Sequence, residues 1–127
     1  VIGVEPEGSD ALSRGLAAGE PVRMEARTIA DGLAAPFAGA WDIDLARRYA
    51  GPVVRVPERV IGQGMRFALE RMKQVLEPAG ATALGALLAG LVPLQEGEVV
   101  CVIASGGNVD LGRLPQLLAV GDLEPQS

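Results

Sequence analysis

Residues 101–110 read CVIASGGNVD, an apolar run that stops at a serine, two glycines and an asparagine. Such a run, followed at once by a fresh amphipathic segment, reads as a buried parallel strand turning into a helix. Ligands in open α/β sheets sit at the carboxyl ends of strands. There Gly106 and Gly107 would let the backbone approach a ligand, and a following helix would present free N–H groups. Ser105 then faces the ligand. A plain strand-to-helix turn with Asn108 as its cap explains the same letters, and glycine turns are far commoner than cofactor sites.

Working outward, Val1–Val4 is a first strand and 5–8 a turn. Ser9 is placed to cap a short helix over 10–18 that Gly19 stops. Residues 20–40 carry Pro21, Gly32, Pro36 and Gly39 without a steady period, a long connection of the kind that is often functional. A helix over 41–50 and a strand over 53–56 follow. Pro57 then opens the longest helix, with Ile61, Met65, Ala68, Leu69, Met72, Val75 and Leu76 on one apolar stripe of core-packing character. Residues 79–90 carry no charge, so that helix must be buried. A turn at 93–97, a third strand at 98–104 and a last helix at 111–120 complete the order β, α, loop, α, β, α, α, β, α. That order predicts an α/β fold, an open, mostly parallel sheet with helices on both faces. Three strands cannot absorb the apolar surface of five helices, so further partners are expected, either more polypeptide upstream or another subunit.

Composition limits the chemistry. The 127 residues are 49% hydrophobic with a net charge of -5, enough for one domain with a real core and no basic footprint for nucleic acid or an anionic membrane. The longest uncharged stretch, 78–95, is broken by glycines and Pro93 and falls short of the roughly 20 apolar residues a membrane span needs. Cys101 is the only cysteine, so one chain builds neither a disulfide nor a thiolate metal site, and a cytoplasmic setting is expected. Histidine is absent, which removes histidine-base schemes from this chain by itself. Gly62-Gln63-Gly64 lacks a third glycine and lies inside a helix. Asp42 and Asp44 suit a helix end better than catalysis.

Five stretches taken together, VIGVEPEG (1–8), GLAAGEPV (15–22), TIADGLA (28–34), ERMKQVLEPAGATALGALLAG (70–90) and VVCVIASGGNVD (99–110), resemble the pyridoxal-phosphate-dependent threonine and serine dehydratases and serine racemase. They stand in the same order across nearly the whole chain. The resemblance implies a fold-type II, tryptophan synthase β-like architecture, of which 1–120 would be the C-terminal part of the catalytic region and 121–127 a flexible tail. The family's cofactor-anchoring lysine and its glycine-rich phosphate loop would lie in an N-terminal portion not represented here. Lys73, the only lysine, sits in a charged helical run unlike the family's lysine motif. No catalytic residue is therefore expected in this chain, and alone it is expected to be inactive.

Position by position, the resemblance makes Ser105 the residue that hydrogen-bonds the pyridine nitrogen of pyridoxal phosphate, with Gly106 and Gly32 beside the cofactor. Glu77 matches an acid of the polar network, although a solvated helix end is the plain alternative. Lys73 and Asn108 match nucleotide-contacting positions of serine racemase; a surface charge and a cap are the alternatives. The family's divalent-cation site would fall on Glu5, Ser9 and position 11, but Ala11 replaces the expected aspartate, so a weakened or absent site is expected.

The reaction implied is elimination of the β-hydroxyl of L-threonine or L-serine to a 2-oxo acid and ammonia, in a homo-oligomer. Serine racemisation and a non-catalytic small-molecule-binding or interaction module on the same scaffold are the alternatives.

Overall fold

A computed structural model describes residues 1–122. The chain forms a parallel pair of strands, β1 (Gly3–Pro6) and β2 (Val53–Val56), with Glu5 opposite Arg55 in register. Around it lie α1 (Ala11–Ala18), α2 (Ala40–Tyr49), α3 (Glu58–Phe67), α4 (Pro78–Leu88) and α5 (Leu114–Val120). A single 3₁₀ turn at Glu7–Ser9 links β1 to α1, and another at Asp31–Leu33 interrupts the long connection that follows α1.

α3 is the central post. Ile61 and Met65 are buried on it and Ala68 just beyond its end, as the stripe predicts; Val60, outside that stripe, is buried too, and the four serve two adjoining clusters. One contains Leu76, Ala81, Leu84 and Leu117; the other contains Ala30, Val56 and Ala86. The uncharged α4 packs closely on α3 because Gly64 has no side chain. A Cβ there would stand 2.6 Å from the Ala81 carbonyl oxygen and 2.8 Å from the Gly85 nitrogen. The stripe does not run on to Val75 as a single helix. The helical chain opens into a π turn at Ala68–Met72 and stops at Lys73, whose φ of 59° is left-handed. Met72 and Val75 are consequently exposed. Pro78 disfavours helical geometry at the residue before it, and Glu77 takes ψ 162°, so the chain turns back into α4.

Three local expectations are corrected. Ser9 is not the cap of α1: its hydroxyl donates to the Leu33 carbonyl at 2.7 Å, and Asp10 holds the cap position. Asn108 is not a helix cap either, because α5 begins only at Leu114, after a turn at 110–113 in which the Asp110 carboxylate accepts from the Gly112 N–H. Finally, residues 98–104 do not form a strand among the described residues. A strand exists only by pairing, and their backbone groups meet no neighbouring strand. Val99, Val100, Cys101 and Ile103 are exposed instead of buried. Val99–Ile103 faces Val1, Ile2 and Val4 beside the open edge of β1, across a groove of about 530 Å³.

The packed chain continues to its last described residues. Gly121 is buried against α3, where the Gln63 side-chain amide donates to its carbonyl, and Arg66 pairs with Asp122 at 2.9 Å. The rest of the expected tail, 123–127, lies outside the described residues. Among the described residues, no helix is long and apolar enough to cross a membrane.

Candidate functional site

Three segments distant in sequence converge at the end of the 98–104 run. Ser105 and Gly106 lie on the first turn of α4: a Cβ on Gly80 would overlap the Ser105 carbonyl oxygen and come within 2.6 Å of that of Gly106. The Gly106 carbonyl accepts the Glu77 N–H at 3.2 Å, so the loop is tied to the start of α4. Gly106 has φ 88°, a left-handed conformation natural to glycine, and a Cβ on it would overlap Glu77 Oε1. The third segment is the turn at Asp31–Leu33, where a Cβ on Gly32 would lie 3.1 Å from that of Ala79. Ser105, Gly106 and Gly32 are exposed, and Glu77 is half-buried beneath Gly106. The result is a shelf with few side chains, floored by backbone and a carboxylate and bearing one hydroxyl.

The long connection is held in place by residues that sequence reasoning passed over. Glu58, in the first turn of α3, accepts the Ile29 N–H at 2.7 Å through Oε2, reaching across 29 positions. Its other oxygen, Oε1, is buried with no hydrogen-bond partner among the described residues. An acid just after Pro57 is visible in the sequence, but its distant backbone partner is not. Ser9 fixes the other side of the same turn through Leu33.

Lys73 and Asn108 do different jobs. Lys73 Nζ donates to the Glu70 carbonyl of its own helical turn, on the exposed end of the π segment. Asn108 lines a narrow cleft of about 30 Å³ with Asp31, Asp110 and Arg113. The residues proposed for a divalent cation do not fit one. Both oxygens of Glu5 are committed to α1: Oε1 accepts the Leu12 N–H at 2.8 Å, and Oε2 accepts the Ser13 N–H at 3.0 Å and the Ser13 hydroxyl at 2.7 Å. Ala11 offers no ligand. The neighbouring Asp10, only 4% exposed, already takes Arg14 at 2.6 Å and Arg55 at 3.3 Å. Burial pushes the Asp10 carboxyl up, but the hydrogen bonds from Arg14 and Arg55 together with the Arg14 charge outweigh it and hold it below the usual carboxylate range. Among the described residues, no three His, Cys, Asp or Glu side chains cluster as metal ligands.

The shelf does fit pyridoxal phosphate as one wall of its site. An exposed serine stands at the end of the 98–104 segment, and the glycines beside it place no side chains against a flat ring. Glu77 provides a carboxylate underneath.

The sequence pattern of a family described as pyridoxal-phosphate dependent enzyme matches residues 1–106. Phenylserine dehydratase of Ralstonia pickettii is 38% identical over 122 residues, 95% of this chain and 37% of its own. L-threonine ammonia-lyase of Thermotoga maritima is 34% identical over 122 residues, 95% of this chain and 30% of its own. Maize serine racemase has a similar structure, with a TM-score of 0.78 and 33% identity, covering 93% of this chain and 38% of that one. The chain thus spans about a third of the length of the relatives it matches.

Proposed function

Because the chain belongs to the family of pyridoxal-phosphate-dependent enzymes, with an α/β fold similar to its fold-type II members, we propose that it forms one wall of a threonine or serine dehydratase site. The observation that carries this reading is the exposed Ser105 on a glycine shelf backed by Glu77 and the first turn of α4.

Pyridoxal phosphate, when bound, supplies the electron-withdrawing ring that makes an amino acid's α-C–H acidic. Ser105 would present a neutral hydroxyl to the ring nitrogen. A carboxylate there would hold that nitrogen protonated and strengthen the electron sink. A hydroxyl leaves the sink weaker, which suits prompt loss of a β-hydroxyl over a long-lived carbanion. Gly106 and Gly32 would let backbone approach the ring without side chains, and the Glu77 N–H holds Gly106 in position through its carbonyl. Lys73, turned to Glu70, does not serve as the anchoring lysine. That group and the phosphate loop would come from polypeptide beyond this chain, and the open groove between Val1–Val4 and Val99–Ile103 supports such a completion of the sheet. The isolated chain would then be inactive.

Serine racemisation is the second reading, favoured by the similarity to serine racemases at 33–34% identity. The test is to supply L-threonine and L-serine, with pyridoxal phosphate, to the 127-residue chain and to the polypeptide extended upstream in its reading frame. Release of 2-oxo acid and ammonia by the extended form alone supports dehydration. Accumulation of D-serine without 2-oxo acid supports racemisation. Failure of the extended form to retain the cofactor rejects both.

A further inference from the structure

The Gly32 turn is attached to two different parts of the molecule. On one side the Arg27 N–H donates to the Gly8 carbonyl at 2.8 Å and the Ser9 hydroxyl donates to the Leu33 carbonyl at 2.7 Å, so residues 27–33 are bound to the link between β1 and α1. On the other side the turn meets the α3–α4 pair, on whose α4 end the Ser105–Gly106 shelf rests. Among the described residues, one hydrogen bond joins residues 27–33 to that pair, from the Ile29 N–H to Glu58 Oε2 at 2.7 Å. Apolar contact does not replace it. Ile29 packs against both core clusters and Ala30 is fully buried, but burial is non-directional and draws the turn inward without fixing its height. The Glu58 bond has a fixed length and direction, and it supplies the stop.

Glu58 is placed for reach and not for helix charge alone. A first-turn acid favours a helix N-terminus even from solvent. Glu58 is folded inward instead, with Oε1 buried and without a partner among the described residues, an unfavourable placement that the charge-assisted bond to Ile29 offsets. The turn it holds is in direct reach of the site. Ile29 and Asp31 line the narrow cleft with Pro78 and Asn108, and a Cβ on Gly32 would lie 3.1 Å from that of Ala79. A turn released from Glu58 is free to slide along the first turn of α4, which changes its spacing from Ser105 and Gly106. We infer that Glu58 is a positioning residue: it sets the distance between the Gly32 turn and the Ser105–Gly106 shelf, and so the fit of both to the cofactor. The inference rests on the reading of that shelf as a wall of the cofactor site.

The test uses the extended polypeptide loaded with pyridoxal phosphate and reads two quantities, amide exchange at residues 29–33 and the rate at which the cofactor dissociates. Three substitutions separate length from charge. Glu58→Gln keeps the reach and an acceptor oxygen but loses the charge, Glu58→Asp keeps the charge at the start of α3 but is one methylene short, and Glu58→Ala loses both. Glu58→Asp and Glu58→Ala should raise both rates about tenfold, the scale of one hydrogen bond to a charged group, while Glu58→Gln stays within about threefold of the parent. Ile43→Ala, which removes the buried anchor of α2, is the control for general destabilisation: its melting temperature should fall without faster cofactor release. The contrast between Glu58→Asp and Glu58→Gln decides the matter even where Glu58→Ala does not fold. The reverse order, with Glu58→Asp near the parent and Glu58→Gln impaired, would overturn the inference in favour of a plain helix-charge effect. Faster exchange without faster cofactor release would overturn it too, as would equal release from Ile43→Ala and Glu58→Asp. A parent that retains no cofactor would reject the cofactor reading itself, and the positioning role with it.

Discussion

Gly106 stands directly over the carboxylate of Glu77, so close that a Cβ on the glycine would overlap Oε1. The glycine is also left-handed, with φ 88°. Gly106→Ala therefore combines backbone strain with a clash against Glu77 and should cost about 1–3 kcal/mol, concentrated in the 105–108 loop. Amide exchange at 105–108 should accelerate while the α3 core stays protected. Unchanged exchange in that loop would show that Glu77 is free to move aside.

The crossing of α3 and α4 depends on Gly64. A methyl there meets the Ala81 carbonyl and the backbone of Gly85, neither of which can yield without moving a helix. Gly64→Ala should lower stability by roughly 1–3 kcal/mol in thermal or urea unfolding, although alanine is the better helix former. A stabilised variant would contradict the close packing described.

Acid should loosen the junction of β2 with α1. The Asp10 carboxyl is held below its ordinary 3.8 in the folded chain, so its contribution is present above the unfolded value and is lost as pH falls through the folded one. The stability difference between the parent and Asp10→Asn should be largest above about pH 5 and shrink below about pH 3. A difference independent of pH would show that the Arg14 and Arg55 contacts are not electrostatic in origin.

Divalent cations should leave the protein unaffected. With Glu5 committed to Leu12 and Ser13, and Asp10 to two arginines, magnesium, calcium or manganese at millimolar concentration should shift the melting temperature by less than about 1 °C. A concentration-dependent rise of several degrees would show that Glu5 releases α1 to take a metal.

What the sequence showed and what it hid follows from the range of the forces involved. The Met65 stripe, the buried uncharged α4 and strand β2 were legible because periodicity and hydropathy are local properties. The end of the helical run at Lys73 was not, because the extra residue of the π turn leaves no mark on the apolar pattern. Residues 98–104 carry every signal of a strand, yet pairing is a property of neighbours, and none stands beside them among the described residues. At the site, Ser105 and Gly106 were marked by their own chemistry. Gly80 and Glu58 were not, because their importance lies in contacts with backbone far away in sequence. Glu5 and Ser9 were matched to a cation site through the resemblance alone, whereas their actual partners are Leu12, Ser13 and Leu33.

The most direct test of the account is the visible absorption of the extended polypeptide loaded with pyridoxal phosphate, compared with its Ser105→Ala and Ser105→Asp variants. If Ser105 faces the ring nitrogen, the alanine should weaken cofactor retention, and the aspartate should shift the absorption and slow elimination by holding that nitrogen protonated. Spectra and rates identical across all three would contradict the placement of Ser105 on which the function rests.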